Sequence, residues 1–211
     1  MRLRDIMAEV GEGSSKPFKW SGERSPRRKL MAALPDKGSR DIEFKYKFDA
    51  NGIPYIVHFS GTIERKTLLQ LPGMSPPSDR AKYETGFNVS FNTVAGSKAK
   101  MTPDTNRGDQ FRILATVVDI IKAFVKDINS GGSQSVIANE LFIAPKGDDT
   151  EAGRFDSKRA RFYQAYINKQ LGSLTANGIK YKASKGTYSG SEYIKLYAVT
   201  DTSDFKIKVK K

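Results

Sequence analysis

The sequence predicts a mixed α/β (α+β) fold, in which a mixed β-sheet is flanked by helices and preceded by an extended N-terminal arm. Apolar and charged residues alternate from residue 41 onward, as they do in a half-buried β-strand. Apolar residues recur every three or four positions over residues 109–128, as on the buried side of a helix. Residues 1–40 mix Gly, Ser, Pro and charged residues without a sustained period of either kind. The predicted organisation is therefore a flexible basic arm, residues 1–40, followed by one α/β domain, residues 41–211.

The arm contains two short stretches with helical spacing, residues 2–10 and 26–34. In the second stretch Ser25 can act as the N-cap, and Pro26 occupies the first helical position, where proline is tolerated. Helices this short are not stable alone in water, so they either dock on the domain or become ordered on a partner, and we expect the arm to be mobile in isolation. Aromatic rings and basic side chains are the groups that would make such a contact. The candidate partner-binding residues of the arm are Phe18, Trp20, Arg27, Arg28 and Lys29.

The domain begins with a pattern typical of β-strands. In the first strand the apolar residues alternate with charged ones. The apolar residues are Ile42, Phe44, Tyr46 and Phe48. Asn51-Gly52 then provides the positive φ angles of a tight hairpin turn, and a second strand follows over residues 53–63. A third strand is expected over residues 86–94, beyond a Pro- and Gly-rich loop.

The remainder of the chain is expected to alternate helices with strands. The helix over residues 109–128 has Asp109 as its cap and ends at Gly131-Gly132. The later elements are expected in the order strand 135–145, helix 157–174, strand 193–199 and a basic tail 205–211. Strands that alternate with helices in this way predict a sheet covered by helices.

The residue composition excludes several kinds of site. The chain has no cysteine and a single histidine, His58. A disulfide framework and a thiolate metal site are therefore excluded, and we expect no bound metal. The glycine-rich phosphate-binding signatures are absent, and no stretch has the pattern of a signal peptide or of a membrane-spanning helix. We expect a protein that is neither secreted through a signal peptide nor bound to a membrane.

Positive charge is concentrated at the two ends of the sequence. The net charge is +13. Residues 1–40 carry 10 Lys and Arg against 5 Asp and Glu, and residues 154–211 carry 13 against 4. Clustered basic residues release condensed counterions when they meet phosphates, so the charge favours a polyanionic partner, although it also serves solubility.

Two basic clusters are candidate binding sites. Arg107, Gly108 and Gln110 lie at the opening of the long helix, where free N–H groups and the helix dipole favour an anion. Arg159 and Arg161 lie on the second helix, where they either form a solvated side or line a groove at the sheet.

In its second half the chain resembles the GNAT acetyltransferase superfamily. The resemblance covers about residues 83–199 and rests on the order of strands and helices and on Ala160 with Phe162-Tyr163. It implies acetyl-CoA as a cofactor and Tyr163 as the general acid that protonates the leaving thiolate. The pyrophosphate loop of the superfamily matches residues 110–115 at its ends, but Ile113 stands at a required glycine. We therefore expect acetyl-CoA to bind weakly or not at all.

The sequence is also similar to a family of tailed-bacteriophage proteins, in its opening, residues 1–5, and in residues 108–125. This similarity implies a phage origin, a GNAT-like fold and a location in the bacterial host cytoplasm or the virion. The first functional hypothesis is an accessory or virion-associated protein without catalysis or cofactor, which binds a phage or host protein, or nucleic acid, through its arm and basic surface. The alternatives are an N-acetyltransferase and a nucleic-acid-binding protein, the latter without an evident aromatic platform.

Overall fold

The computed structural model describes residues 16–65, 83–94, 107–131, 136–143, 165–188 and 191–199. Within them the chain forms one eight-stranded mixed sheet with helices packed against it, so the mixed α/β class is confirmed. The strands are β1 (Trp20–Gly22), β2 (Ser39–Ala50), β3 (Ile53–Arg65), β4 (Tyr83–Thr93), β5 (Glu140–Ile143), β6 (Thr175–Ala176), β7 (Ile179–Tyr188) and β8 (Ser191–Val199). The helices are α1 (Pro26–Ala32), α2 (Arg107–Ile128) and the helical residues 165–171.

The strand order across the sheet is β1-β2-β3-β4-β5-β8-β7-β6. Every neighbouring pair of described strands is antiparallel except β4 and β5, which run parallel. The connection from β4 to β5 carries α2, and the connection from β5 toward β7 carries helical residues 165–171. Both connections move across the sheet from β4 toward β7. Because connections between parallel strands are right-handed, both helices lie on the same face of the sheet. The ring of Phe111 on α2 contacts that of Tyr166, with 6.1 Å between their centroids.

The predicted hairpin is confirmed as β2 and β3. Asn51 and Gly52 adopt φ angles of 55° and 86°, as the turn requires. The Asp49 carboxylate accepts a hydrogen bond from the Gly52 N–H at 2.6 Å. The turn fixes the register, in which Phe44 lies opposite Phe59.

The apolar side of α2 is buried, as its periodicity predicts. Phe124 is the centre of an aromatic cluster and stacks on Phe59 with a centroid distance of 4.1 Å. Edge contacts at 5.1 Å join it to Phe44 and to Phe87. One core cluster includes α2, the sheet and the helical residues 165–171. The described residues 41–199 therefore share a single core.

The expectation of a flexible arm over residues 1–40 is wrong for the part that the structure describes. β1 pairs with β2, with Trp20 opposite Phe48. In α1 the side chain of Leu30 is fully buried, and Pro26 is buried as well. Three large apolar residues of this stretch, Phe18, Trp20 and Leu30, pack on α2 and β2. The polar and charged residues around them led the sequence analysis to treat the whole stretch as flexible. Residues 1–15 lie outside the described part of the chain.

The second half contains two strands that the sequence did not predict. β6 and β7 form a hairpin through Asn177-Gly178, and β7 pairs along its whole length with β8. The expected strand over 135–145 is shorter and spans Glu140–Ile143. Helical residues 165–171 agree with the expected second helix, whose beginning is not described.

Candidate nucleic-acid interface

Phe18 and Trp20 are internal contacts of the domain. The Phe18 N–H donates to Thr116 Oγ1 at 2.9 Å, and Arg112 lies 3.9 Å above the Phe18 ring. The Trp20 indole N–H donates to Asp119 Oδ2 at 2.8 Å. These side chains attach the N-terminal segment to α2, so they do not provide the exposed contact area expected from the sequence.

The basic triplet of α1 is divided among different environments. The Arg27 guanidinium donates to the carbonyl oxygen of Ile128, at the end of α2, and to that of Val136, in the segment before β5. The Lys29 ammonium donates to the Glu43 carbonyl oxygen at 2.7 Å. Arg28 is exposed and has no hydrogen-bond or ion-pair partner among the described residues. Of the five arm residues, Arg28 alone presents a polar group that other described residues do not engage.

The residues of the predicted anion site lie in the first turn of α2. The helix begins at Arg107, two residues earlier than expected, and includes Gly108 and Gln110. Ile113 is 6% exposed and belongs to the core cluster. A residue at this position packs inward and does not line a phosphate loop, so the reason given above for weak acetyl-CoA binding is wrong. Arg159, Arg161 and Tyr163 lie outside the described residues.

The sheet has a second face against which none of the described helices packs. Successive residues of a strand point to opposite faces, and Leu141, Ile143, Ile194 and Leu196 are buried beneath the helices. Their neighbours in β5, β8 and β7 therefore point to the other, helix-free face. The half-buried rings and the lysines there form what we call the aromatic–lysine patch: Phe142, Tyr193, Tyr197, Lys180, Lys182 and Lys195.

Strand register brings these six residues together. Phe142 of β5 lies opposite Lys195 of β8, between the two tyrosines of that strand. The Phe142 and Tyr193 rings are 5.7 Å apart, and the Lys195 ammonium lies 5.3 Å from the Phe142 centroid. Lys182 of β7 is opposite Tyr197. The patch is therefore a row of three rings bordered by lysines.

A glycine allows one of these rings to lie against the sheet. Gly186 is opposite Tyr193, and a Cβ added to Gly186 would lie 2.4 Å from Cζ of that ring. Any other residue at this position would lift the ring or displace it. The sequence thus provides the space that the Tyr193 ring occupies.

Charge differs between the two halves of the helix-free face. On β5, β7 and β8 the three lysines of the patch outnumber one carboxylate, Glu140, which pairs with Lys195 at 2.7 Å. On β2 to β4 the same face carries the carboxylates Asp41, Glu43, Asp49, Glu64 and Glu84 against Lys45 and Lys47. A polyanion is therefore attracted to the half that carries the rings and repelled by the other.

In the acidic half, Glu43 lies beside two basic side chains. Its carboxylate lies 3.2 Å from the Lys45 ammonium and 3.4 Å from His58 Nε2. The hydrogen bond and the charge of Lys45, with a smaller effect of His58, hold the pKa of Glu43 below its usual value. Glu43 therefore stays ionised, and its carboxylate lies beside both Lys45 and the half-buried His58 side chain.

Partly exposed rings beside lysines are an arrangement by which proteins hold single-stranded nucleic acid. Bases stack on aromatic side chains without regard to sequence, and lysines neutralise the phosphates. Sequence reasoning missed this site because Phe142 and Tyr193 become neighbours only when β5 pairs with β8. The signal that could have revealed it is the alternation Tyr193, Lys195, Tyr197, which places three amphipathic side chains on one face.

Comparisons with protein families, with curated proteins and with solved structures give no match for this sequence. Within the described ranges, no three acidic or histidine side chains are grouped so that they could hold a metal ion. No helix among those residues is long and apolar enough to cross a membrane.

Proposed function

We propose that this chain is a non-catalytic binding protein on a GNAT-like scaffold, and that its aromatic–lysine patch takes single-stranded nucleic acid. The observation that carries the proposal is the row of Phe142, Tyr193 and Tyr197 on a helix-free, lysine-bordered face. Such a role fits an accessory or virion-associated phage protein, which is the origin that the sequence resemblance implies.

The GNAT-like part of the proposal is supported by topology. Four antiparallel strands lead into the single parallel pair among the described strands, β4 and β5, and α2 makes the crossover between them. Beyond β5 the last long strand, β8, returns to lie between β5 and β7. The resemblance noted from the sequence covers this same region.

Nucleic acid suits the patch better than an acidic protein surface. Tyr193 and Tyr197 are four residues apart in β8, a separation of about 13 Å at about 3.3 Å per residue, and Phe142 lies between them. Successive unpaired bases can stack on rings placed in a row, whereas a folded acidic surface offers few flat groups to match them. The partner is therefore an extended polyanion with flat side groups.

An acetyltransferase is the second candidate, and the strand order is the observation that favours it. Its general acid would be Tyr163, and its cofactor would lie near the first turn of α2, where Arg107, Gly108 and Gln110 are located. Binding of nucleic acid to the helix-free face would require neither Tyr163 nor the first turn of α2.

One binding experiment separates the two candidates. We expect the full chain to bind a fluorescent single-stranded oligonucleotide more tightly than the corresponding duplex, with log K falling against log salt concentration at a slope of about −1.4. That slope follows from Lys180 and Lys182, which each contribute about 0.7, because Lys195 is already paired with Glu140. Because the proposed function uses no cofactor, we expect calorimetry with acetyl-CoA to show no binding. Failure to bind the oligonucleotide, or binding without salt dependence, would contradict the proposal, and tight acetyl-CoA binding would favour the enzyme.

A further inference from the structure

Glu140 carries the one carboxylate in the basic, aromatic half of the helix-free face, as far as the structure describes that half. It lies on β5 opposite Tyr197, and its Oε1 atom is 2.7 Å from the Lys195 ammonium. Its neighbour on β4 is Gly86, which has no side chain that could engage the carboxylate from the other side. The negative charge of Glu140 therefore lies beside the rings of the aromatic–lysine patch and is compensated by Lys195.

Lys195 is the lysine that lies within the row of rings. It stands between Tyr193 and Tyr197 on β8, and its ammonium is 5.3 Å from the Phe142 centroid. The other two lysines of the patch belong to β7, one strand farther from Phe142. A strand whose bases stack along the row has its phosphates within reach of Lys195. The lysine best placed to meet a phosphate is thus the one that Glu140 already holds.

From this geometry we infer that Glu140 keeps Lys195 from binding a phosphate and so limits the affinity of the patch for single-stranded nucleic acid. The inference rests on the proposed function. A lysine adds to binding when it neutralises a phosphate and releases its counterion, and a lysine that is paired with a carboxylate does not. The Glu140 charge also repels phosphates that approach the row. Two lysines then remain for the strand, so the patch releases it readily.

The contacts of the pair indicate that its effect falls on binding and not on folding. The side chains of Lys195 and Glu140 are 31% and 40% exposed, and ion pairs this exposed contribute little to the free energy of unfolding. Without Glu140 the ammonium would still have its cation–π contact with Phe142. A freed Lys195 would therefore stay in the row, where a phosphate can reach it.

Glu140→Gln tests the inference, because it keeps the size of the side chain and removes its charge. In fluorescence anisotropy with a single-stranded oligonucleotide at low salt, we expect the Kd to fall about 3- to 10-fold. The slope of log K against log salt concentration should steepen from about −1.4 to about −2.1, because a third lysine then neutralises a phosphate. The melting temperature should stay nearly unchanged.

Glu43→Gln is the matched control. It makes the same change in net charge on the same face and breaks a similar pair, with Lys45 at 3.2 Å, but in the acidic half. This control should leave the affinity and the slope nearly unchanged. Equal gains in both variants would overturn the inference, because net charge alone would then account for them.

A second control removes the lysine that the inference depends on. In a Lys195→Gln background, Glu140→Gln can still reduce repulsion but frees no ammonium, so the slope should not steepen. A steeper slope in that background would overturn the inference. Oligonucleotide binding by the wild type with an unchanged affinity and slope in Glu140→Gln would overturn it and leave the proposed function standing. No binding by either protein would contradict both.

Discussion

At the scale of single residues, Asn129 and Tyr181 fasten the end of α2 to the far half of the sheet. The Asn129 side-chain amide donates to the Tyr181 hydroxyl at 2.8 Å, and its oxygen accepts from the Ala138 N–H at 3.1 Å. The Tyr181 hydroxyl in turn donates to the Ala138 carbonyl oxygen. Burial raises the pKa of Tyr181 to about 12, and the hydrogen bond from Asn129 opposes that shift. A satisfied network of this kind specifies one arrangement of three chain segments.

Tyr181→Phe tests that network through its stability and its pH dependence. The variant removes the partner of the Asn129 side-chain N–H and of the Ala138 carbonyl oxygen, so we expect a loss of about 1 to 3 kcal/mol in the free energy of unfolding. The pKa of the folded state lies above the ordinary value of 10.0. The contribution of the tyrosine is therefore complete below pH 10 and is lost as the pH rises toward about 12. Urea titrations at pH 8 and pH 11 should show a smaller gap between wild type and variant at pH 11. Equal stability of the two proteins at pH 8 would contradict the network.

At the scale of elements, the segment from residue 16 to β2 belongs to the domain. β1 extends the sheet by one strand, and α1 packs on α2. The Arg27 backbone N–H stabilises this contact by donating a hydrogen bond to the Asp127 carboxylate. The segment thus covers α2 from Arg112, beside Phe18, to Ile128, beside Arg27.

Removing residues 1–38 deletes β1 and α1 and exposes the apolar surface that Leu30 and Phe18 cover. The loss of one large buried side chain costs about 2 to 5 kcal/mol, so we expect this truncation to melt at a much lower temperature or to fail to fold. Removing residues 1–15 leaves every described contact of the segment in place and is the matched control. A chain without residues 1–38 that keeps its melting temperature would restore the interpretation of a flexible arm.

Sequence reasoning succeeded for elements whose signals are local. The alternation in β2, the Asn51-Gly52 turn and the apolar stripe of α2 each lie within a short window. It failed for a strand whose own composition is polar and for a site built by distant strands. β7 is rich in Lys, Ser and Gly, and its strand forms because β8, which follows it directly in the chain, pairs with it. The aromatic–lysine patch was missed because Phe142 and Tyr193 become neighbours only through the pairing of β5 with β8, which are distant in the chain.

At the scale of the whole molecule, the sheet separates two surfaces of different composition. The described helices and the core lie on one face. The other face divides into an acidic half on β2 to β4 and a basic, aromatic half on β5, β8 and β7. The net charge of +13 strengthens attraction to a polyanion over long distances, while the acidic half limits where on this face it can settle.

A pair of charge reversals on this one face tests the central claim most directly. Lys182→Glu alters the patch beside Tyr197, and Lys47→Glu makes the same change in net charge on β2 in the acidic half. In fluorescence anisotropy with a single-stranded oligonucleotide, we expect Lys182→Glu to weaken binding and to reduce the magnitude of the salt slope by about 0.7. Lys47→Glu should leave the affinity and the slope nearly unchanged. Equal losses in both variants would mean that net charge alone attracts the strand, and they would contradict a binding site on the aromatic–lysine patch.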